Sequence, residues 1–149
     1  MEAGRCIKIL DPYDWLPGYG ENAVKTIMDR DLTLTVFVSY DGENGEEQEK
    51  KIIFKGVYDF HRSSWPGVDT LNISRNGREN EDVSIFDLIE YPDSEAALAW
   101  NNYWEKCLRS SGVSIKSSIK HYRWAFRAEN VMLEIFAKSV QLEEENVHS

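Results

Sequence analysis

Asp59 and His61 stand two residues apart in a run that alternates like a strand, so both side chains fall on one face if the strand continues. A carboxylate so placed can orient an imidazole and balance its charge, which is what a general base needs. Ser63 and Ser64 follow, and Trp65, with Pro66, Gly67 and Asp69 behind it, would wall a small cleft. The same residues equally describe a strand end meeting water before an aromatic-Pro-Gly turn, because turns and strand ends collect polar residues.

A second grouping is His121, Arg123 and Arg127 on one side of a C-terminal strand, facing Glu134 or Lys138 across a hairpin. A histidine and two arginines suit an anion. Cross-strand charge pairs that decorate a solvent face, each worth about 0.2–1 kcal/mol, are the commoner outcome and the one expected here. A third feature is the stretch 41–49, which holds Gly42 and Gly45 among five acids: Asp41, Glu43, Glu46, Glu47 and Glu49. Glu43, Glu46 and Glu47 in particular offer a surface that could steer and hold a basic partner. Trp15, Tyr19 and Trp65 would make an aromatic rim for a sugar or a partner, although such rings more often fill a small core.

Established catalytic and nucleotide-binding motifs are absent. The chain has no G-x-x-x-x-G-K-[ST] loop, no G-x-G-x-x-G, no H-E-x-x-H and no G-x-S-x-G elbow. His61, His121 and His148 are scattered, and Cys6 and Cys107 have no paired spacing, so neither a metal nor another cofactor is expected. This weighs against an enzyme.

The charge narrows the partner. Seventeen Lys and Arg against 26 Asp and Glu give 17 − 26 = −9, with a pI near 4.8. Such a field repels phosphate backbones and anionic lipid surfaces, so nucleic acid and membrane are disfavoured and a protein with a basic surface is preferred. A homodimer stays open. No apolar run approaches the ~20 residues of a membrane-spanning helix, and the start, Met1-Glu2-Ala3-Gly4-Arg5-Cys6, lacks the apolar core of a signal peptide. A cytoplasmic protein with reduced thiols is the expectation.

The elements that would position these residues follow from periodicity. Strands are expected at 6–10, 32–40 and 51–60, the last two forming a hairpin across the acidic stretch. Residues 11–20, dense in Pro, Gly and rings, read as a loop, and 21–30 has one-face helical spacing at Ala23, Val24, Ile27 and Met28. An extended piece at 70–74, an Asn76-Gly77 turn and a strand at 83–91 follow. A helix over about 94–108, with Asp93 as N-cap and a stop near Gly112, turns Trp100 and Trp104 inward. A hairpin of 119–127 and 131–140 ends the fold. Sequential hairpins with one inserted helix give an α+β class: a curved antiparallel sheet with the main helix packed on it. One domain over 1–142 accounts for the pattern, with 143–149 as a frayed acidic tail.

The closing stretch His121-Tyr122-Arg123-Trp124-Ala125-Phe126, through Glu134-Ile135-Phe136-Ala137-Lys138, resembles the last hairpin of small, acidic, uncharacterised bacterial proteins. Several groups of bacterial toxin-immunity proteins look similar there. The likeness covers residues 121–138 of the 149. It implies a bacterial protein that binds and blocks a toxin domain without catalysis, and it carries over no contact residues. Charge, missing motifs and this likeness together favour a non-enzymatic protein-binding domain. The alternative is a small-ligand or hydrolytic site around Asp59, His61 and Trp65.

Overall fold

The computed structural model describes residues 6–64, 86–92, 94–110 and 119–143. Among them are nine strands, one α-helix and a single 3-10 turn, in an α+β arrangement built from antiparallel pairs.

The hairpin of β3 (Leu34–Asp41) and β4 (Glu47–Lys55) forms for the reason its alternation predicts. Leu34, Val36, Val38 and Tyr40 point inward while Thr35, Phe37 and Ser39 are half-buried. The turn between the strands is shorter than the acidic stretch. Pairing runs to Asp41↔Glu47, so Glu47, Gln48 and Glu49 lie in β4, and only Gly42–Glu46 turn. Gly45 supplies the positive φ, +75°, that such a turn needs.

Residues 21–30 do not form the expected helix. β2 (Ala23–Met28) pairs with β3 from Ala23↔Ser39 to Met28↔Leu34. Helical spacing over so few residues cannot offset the cost of nucleation. β-Branched Val24, Thr26 and Ile27 gain more from an adjacent strand.

The expected strand 51–60 is likewise broken. Gly56, at φ +65°, ends β4, and the chain re-enters as β5 (Asp59–Ser64) in a different sheet. Its partner breaks at the same level. β8 (Val131–Ala137) leads through Lys138 into β9 (Ser139–Glu143). Between the pairs Lys55↔Ser139 and Asp59↔Phe136, three residues (Gly56, Val57, Tyr58) oppose two (Ala137, Lys138). That extra residue makes a bulge, which bends the ribbon. One sheet therefore has the order β2-β3-β4-β9. The other runs β1-β6-β7-β8-β5, with β1 at Ile7–Leu10, β6 at Leu88–Tyr91 and β7 at Lys120–Phe126. The two share one bent ribbon, so the curved sheet of the sequence analysis is two open sheets joined at a fold.

The core lies between them. Val36, Val38 and Phe54 from one sheet meet Trp124, Leu133 and Ile135 from the other. Phe54 sits edge-on to Tyr122 at 5.4 Å. Arg62 of β5 spans the remaining edge and donates to the Val24 carbonyl at 3.0 Å.

On its opposite face the five-stranded sheet meets α1 (Glu95–Ser110). Asn101 of the helix brackets Ile119, accepting from its N–H at 2.7 Å and donating to its carbonyl at 3.0 Å. Trp104 packs on Tyr58 at 5.1 Å. Trp100, half-buried like Trp104, meets Tyr103 edge-on at 6.1 Å and with Ala96, Ala99 and Tyr103 lines an apolar groove on the helix. Ser94 caps the helix by accepting from the Ala97 N–H at 3.0 Å. The expectations for Asp93, 70–74, 76–77, 83–85, Gly112 and 144–149 lie outside the described residues. Glu143, placed in the acidic tail by sequence, pairs with Lys51 in β9.

Candidate functional site

Two groups of side chains carry chemistry. The first is the face of the five-stranded sheet that α1 covers. The pairing places Arg123, Glu134 and His61 in one row across β7, β8 and β5, and His121, Phe136 and Asp59 in the next. Asp59 and His61 do converge: His61 Nε2 lies 2.9 Å from Asp59 Oδ2, and the other carboxylate oxygen accepts from the Phe60 N–H at 3.0 Å. The imidazole is well exposed, at 62% of its side chain against 31% for Asp59. Ser63 is half-buried and Ser64 exposed at the end of β5. Trp65 and Asp69 are outside the described residues.

His121 and Arg123 do not decorate a solvent face. Each is about 1% exposed, because the helix closes over that side of β7. His121 Nδ1 is 2.9 Å from Ser94 Oγ, its Nε2 is 3.5 Å from Glu134 Oε1, and its ring stacks on Phe136 at 4.5 Å. Arg123 directs Nε and Nη2 at the Met132 sulfur, 3.0 and 2.8 Å away. Burial alone would push the Glu134 carboxyl up. The hydrogen bond and charge of His121, with the charges of Arg123 and His61, outweigh that and hold it below its ordinary value. Burial pushes the Tyr91 hydroxyl up to about 12, although the Arg123 guanidinium pulls the other way. Ser94, His121 and Glu134 thus fall in the order hydroxyl, imidazole, carboxylate, but Ser94 is fully buried and occupied as a helix cap. The arrangement latches the helix to the sheet. Arg127 stands apart, exposed in the β7–β8 turn, and Lys138 lies over the Tyr58 ring at 5.7 Å.

The second group surrounds a groove of about 680 Å³ at the far end of the β3–β4 hairpin. The short 3-10 turn Pro12–Asp14, capped by the Asp11 carboxylate on the Tyr13 N–H at 2.9 Å, lays the 11–20 segment against the strand end. Trp15 reaches inward and packs on Tyr40 at 5.0 Å. Tyr13 and Tyr19 stay on the surface, and Asp14, Asp41 and Glu43 also line the groove, with Lys50 as its cation. Asp41 is held from two sides, accepting from Tyr19 Oη at 3.2 Å and from Asn22 Nδ2 at 2.8 Å. Partial desolvation and the Asp41 carboxylate push the Tyr19 hydroxyl up. Glu43 in that lining is exposed, as are Glu46 and Glu47 on the same hairpin. Of the aromatic rim, then, Trp15 and Tyr19 are brought together.

Sequence reasoning missed Tyr13, Asp14 and Tyr40 as part of the groove and Asn22 as a donor to its Asp41, because only the docking of 11–20 on the strand end assembles them. It also missed Glu21, a carboxylate only 4% exposed that accepts from the Glu129 N–H at 2.8 Å and pins this segment to the β7–β8 turn. No spacing signal marks that contact. Among the described residues no group of three or more His, Cys, Asp or Glu could hold a metal, and no helix is long and apolar enough to cross a membrane. Neither Cys6 nor Cys107 is in a disulfide. Compared with family models, curated proteins and solved structures, the chain matches none of them.

Proposed function

We propose that this chain is a protein-binding domain that takes a partner with a basic surface on the β3–β4 end, as an inhibitor of the immunity type would. The observation that carries this reading is the continuity between Glu43, Glu46 and Glu47 and a groove that holds Asp14 and Asp41. Asp14, Asp41 and Glu43 line the groove and exposed Glu46 and Glu47 lie in the same hairpin end of a chain of net charge −9, and the groove gives a partner's side chain somewhere to enter. The volume lies within the range of pockets that bind ligands.

An amide-resolved NMR titration with hexalysine at low salt tests the location. Shifts should concentrate at residues 13–19 and 40–50. Shifts centred elsewhere, or none, contradict the reading.

A second reading rests on the 2.9 Å contact of Asp59 with His61. A half-exposed carboxylate orienting an exposed imidazole supports a small-ligand or hydrolytic site there. Turnover of an activated ester that disappears in His61→Gln would favour it. Equal background rates in both proteins would remove it.

A further inference from the structure

The groove is more than a negative patch, because Tyr13, Trp15, Tyr19 and Tyr40 stand in its lining beside the carboxylates. Tyr13 and Tyr19 are 37% and 67% exposed, so their rings are available to a visitor, while Trp15 and Tyr40 pack together behind them. Asp41 is pre-oriented by its two donors and does not need to reorganise when a cation arrives. Tyr19 donates to that carboxylate at 3.2 Å, which sets ring and charge side by side.

A ring face next to a carboxylate selects among cations. An ammonium is a strongly hydrated point charge that gains little from a flat wall. A guanidinium is planar and weakly hydrated; it can lie on a ring and still present a fork of N–H donors to a carboxylate. From this lining the geometry points to an arginine side chain of the basic partner as the group that enters the groove, stacked on Tyr19 or Tyr13 and donating to Asp41 or Asp14. The inference rests on the proposed function and adds to it the identity of the anchoring residue. Lys50, also in the lining, is a cation set against the carboxylates of Asp14, Asp41 and Glu43 there.

The test compares fluorescein-labelled hexa-arginine and hexalysine peptides by anisotropy, using the full chain. Wild type should bind the arginine peptide about two- to fivefold more tightly, the range a single exposed cation–π contact supports. Tyr13→Ala with Tyr19→Ala should abolish that preference by weakening the arginine peptide more than the lysine peptide. Tyr19→Phe, which keeps the ring and loses the hydroxyl, should retain the preference. Both rings are at the surface, and an unchanged thermal melt confirms that the variants fold. Equal affinity of wild type for the two peptides, or a double alanine variant that behaves like wild type, overturns the inference while leaving the acidic-surface reading intact. Failure of both peptides to bind wild type overturns both.

Discussion

Gly56 and Lys138 face one another where the shared ribbon leaves one sheet and enters the other. The Lys138 N–H is shared between the carbonyls of Lys55 at 3.0 Å and Gly56 at 3.2 Å. Gly56 adopts φ +65°, and a Cβ there would lie 2.8 Å from Lys138 Cγ. This contact sets the bend that lets the two sheets enclose the core.

Gly56→Ala should therefore destabilise the fold by about 2 kcal/mol, combining left-handed strain with crowding at Lys138. Gly45→Ala is the control. Its φ is similarly positive, +75°, but a Cβ there would meet nothing within 4 Å. It should cost nearer ~1 kcal/mol. Urea midpoints at constant m-value decide between them, and equal losses would contradict a special role for the bend.

Ser94 joins the helix to the sheet through two contacts, the Ala97 N–H and His121 Nδ1. Ser94→Ala removes both and leaves a buried imidazole nitrogen without its hydroxyl. A loss of about 1–3 kcal/mol is expected in thermal or urea unfolding. A change near zero would mean that the latch does not hold the helix.

Glu134 gives the protein a pH dependence of known sign. Its folded-state pKa is lowered, so the folded protein binds this proton more weakly than the unfolded chain does. The stabilisation is complete above the ordinary glutamate value and is lost as pH falls through the lowered one. Stability measured on acidification should therefore decline less steeply in Glu134→Gln than in wild type across that window. An identical slope would show that other carboxylates carry the acid sensitivity.

Much of this fold is written in local patterns. Leu34, Val36, Val38 and Tyr40 alternate cleanly, and the helix over 95–110 repeats its apolar face, so both are legible. The helix expected over 21–30 fails because pairing with β3 overrides six residues of helical spacing. The strand expected over 51–60 breaks because Gly56 reads as a weak strand residue until its positive φ and the matching break at Lys138 are seen together. His121 and Arg123 look like solvent charges beside Glu134, yet Val131-Met132-Leu133 is continuously apolar, the mark of a strand covered on both faces. The Asp59–His61 contact follows directly from period-two geometry. The groove does not, since Tyr13, Tyr19 and Asp41 meet only through tertiary docking of a loop, which no periodicity records.

The central claim is that the acidic hairpin end captures a basic partner. Its most direct test is the association rate of the arginine peptide with wild type and with Glu43→Lys/Glu46→Lys/Glu47→Lys, followed by stopped flow across a salt series. The three sites are exposed and should each change stability by less than about 0.5 kcal/mol. The variant should associate at least about tenfold more slowly at low salt, and the gap should close near 1 M, where the Debye length is about 3 Å. Equal association rates at low salt would contradict the account.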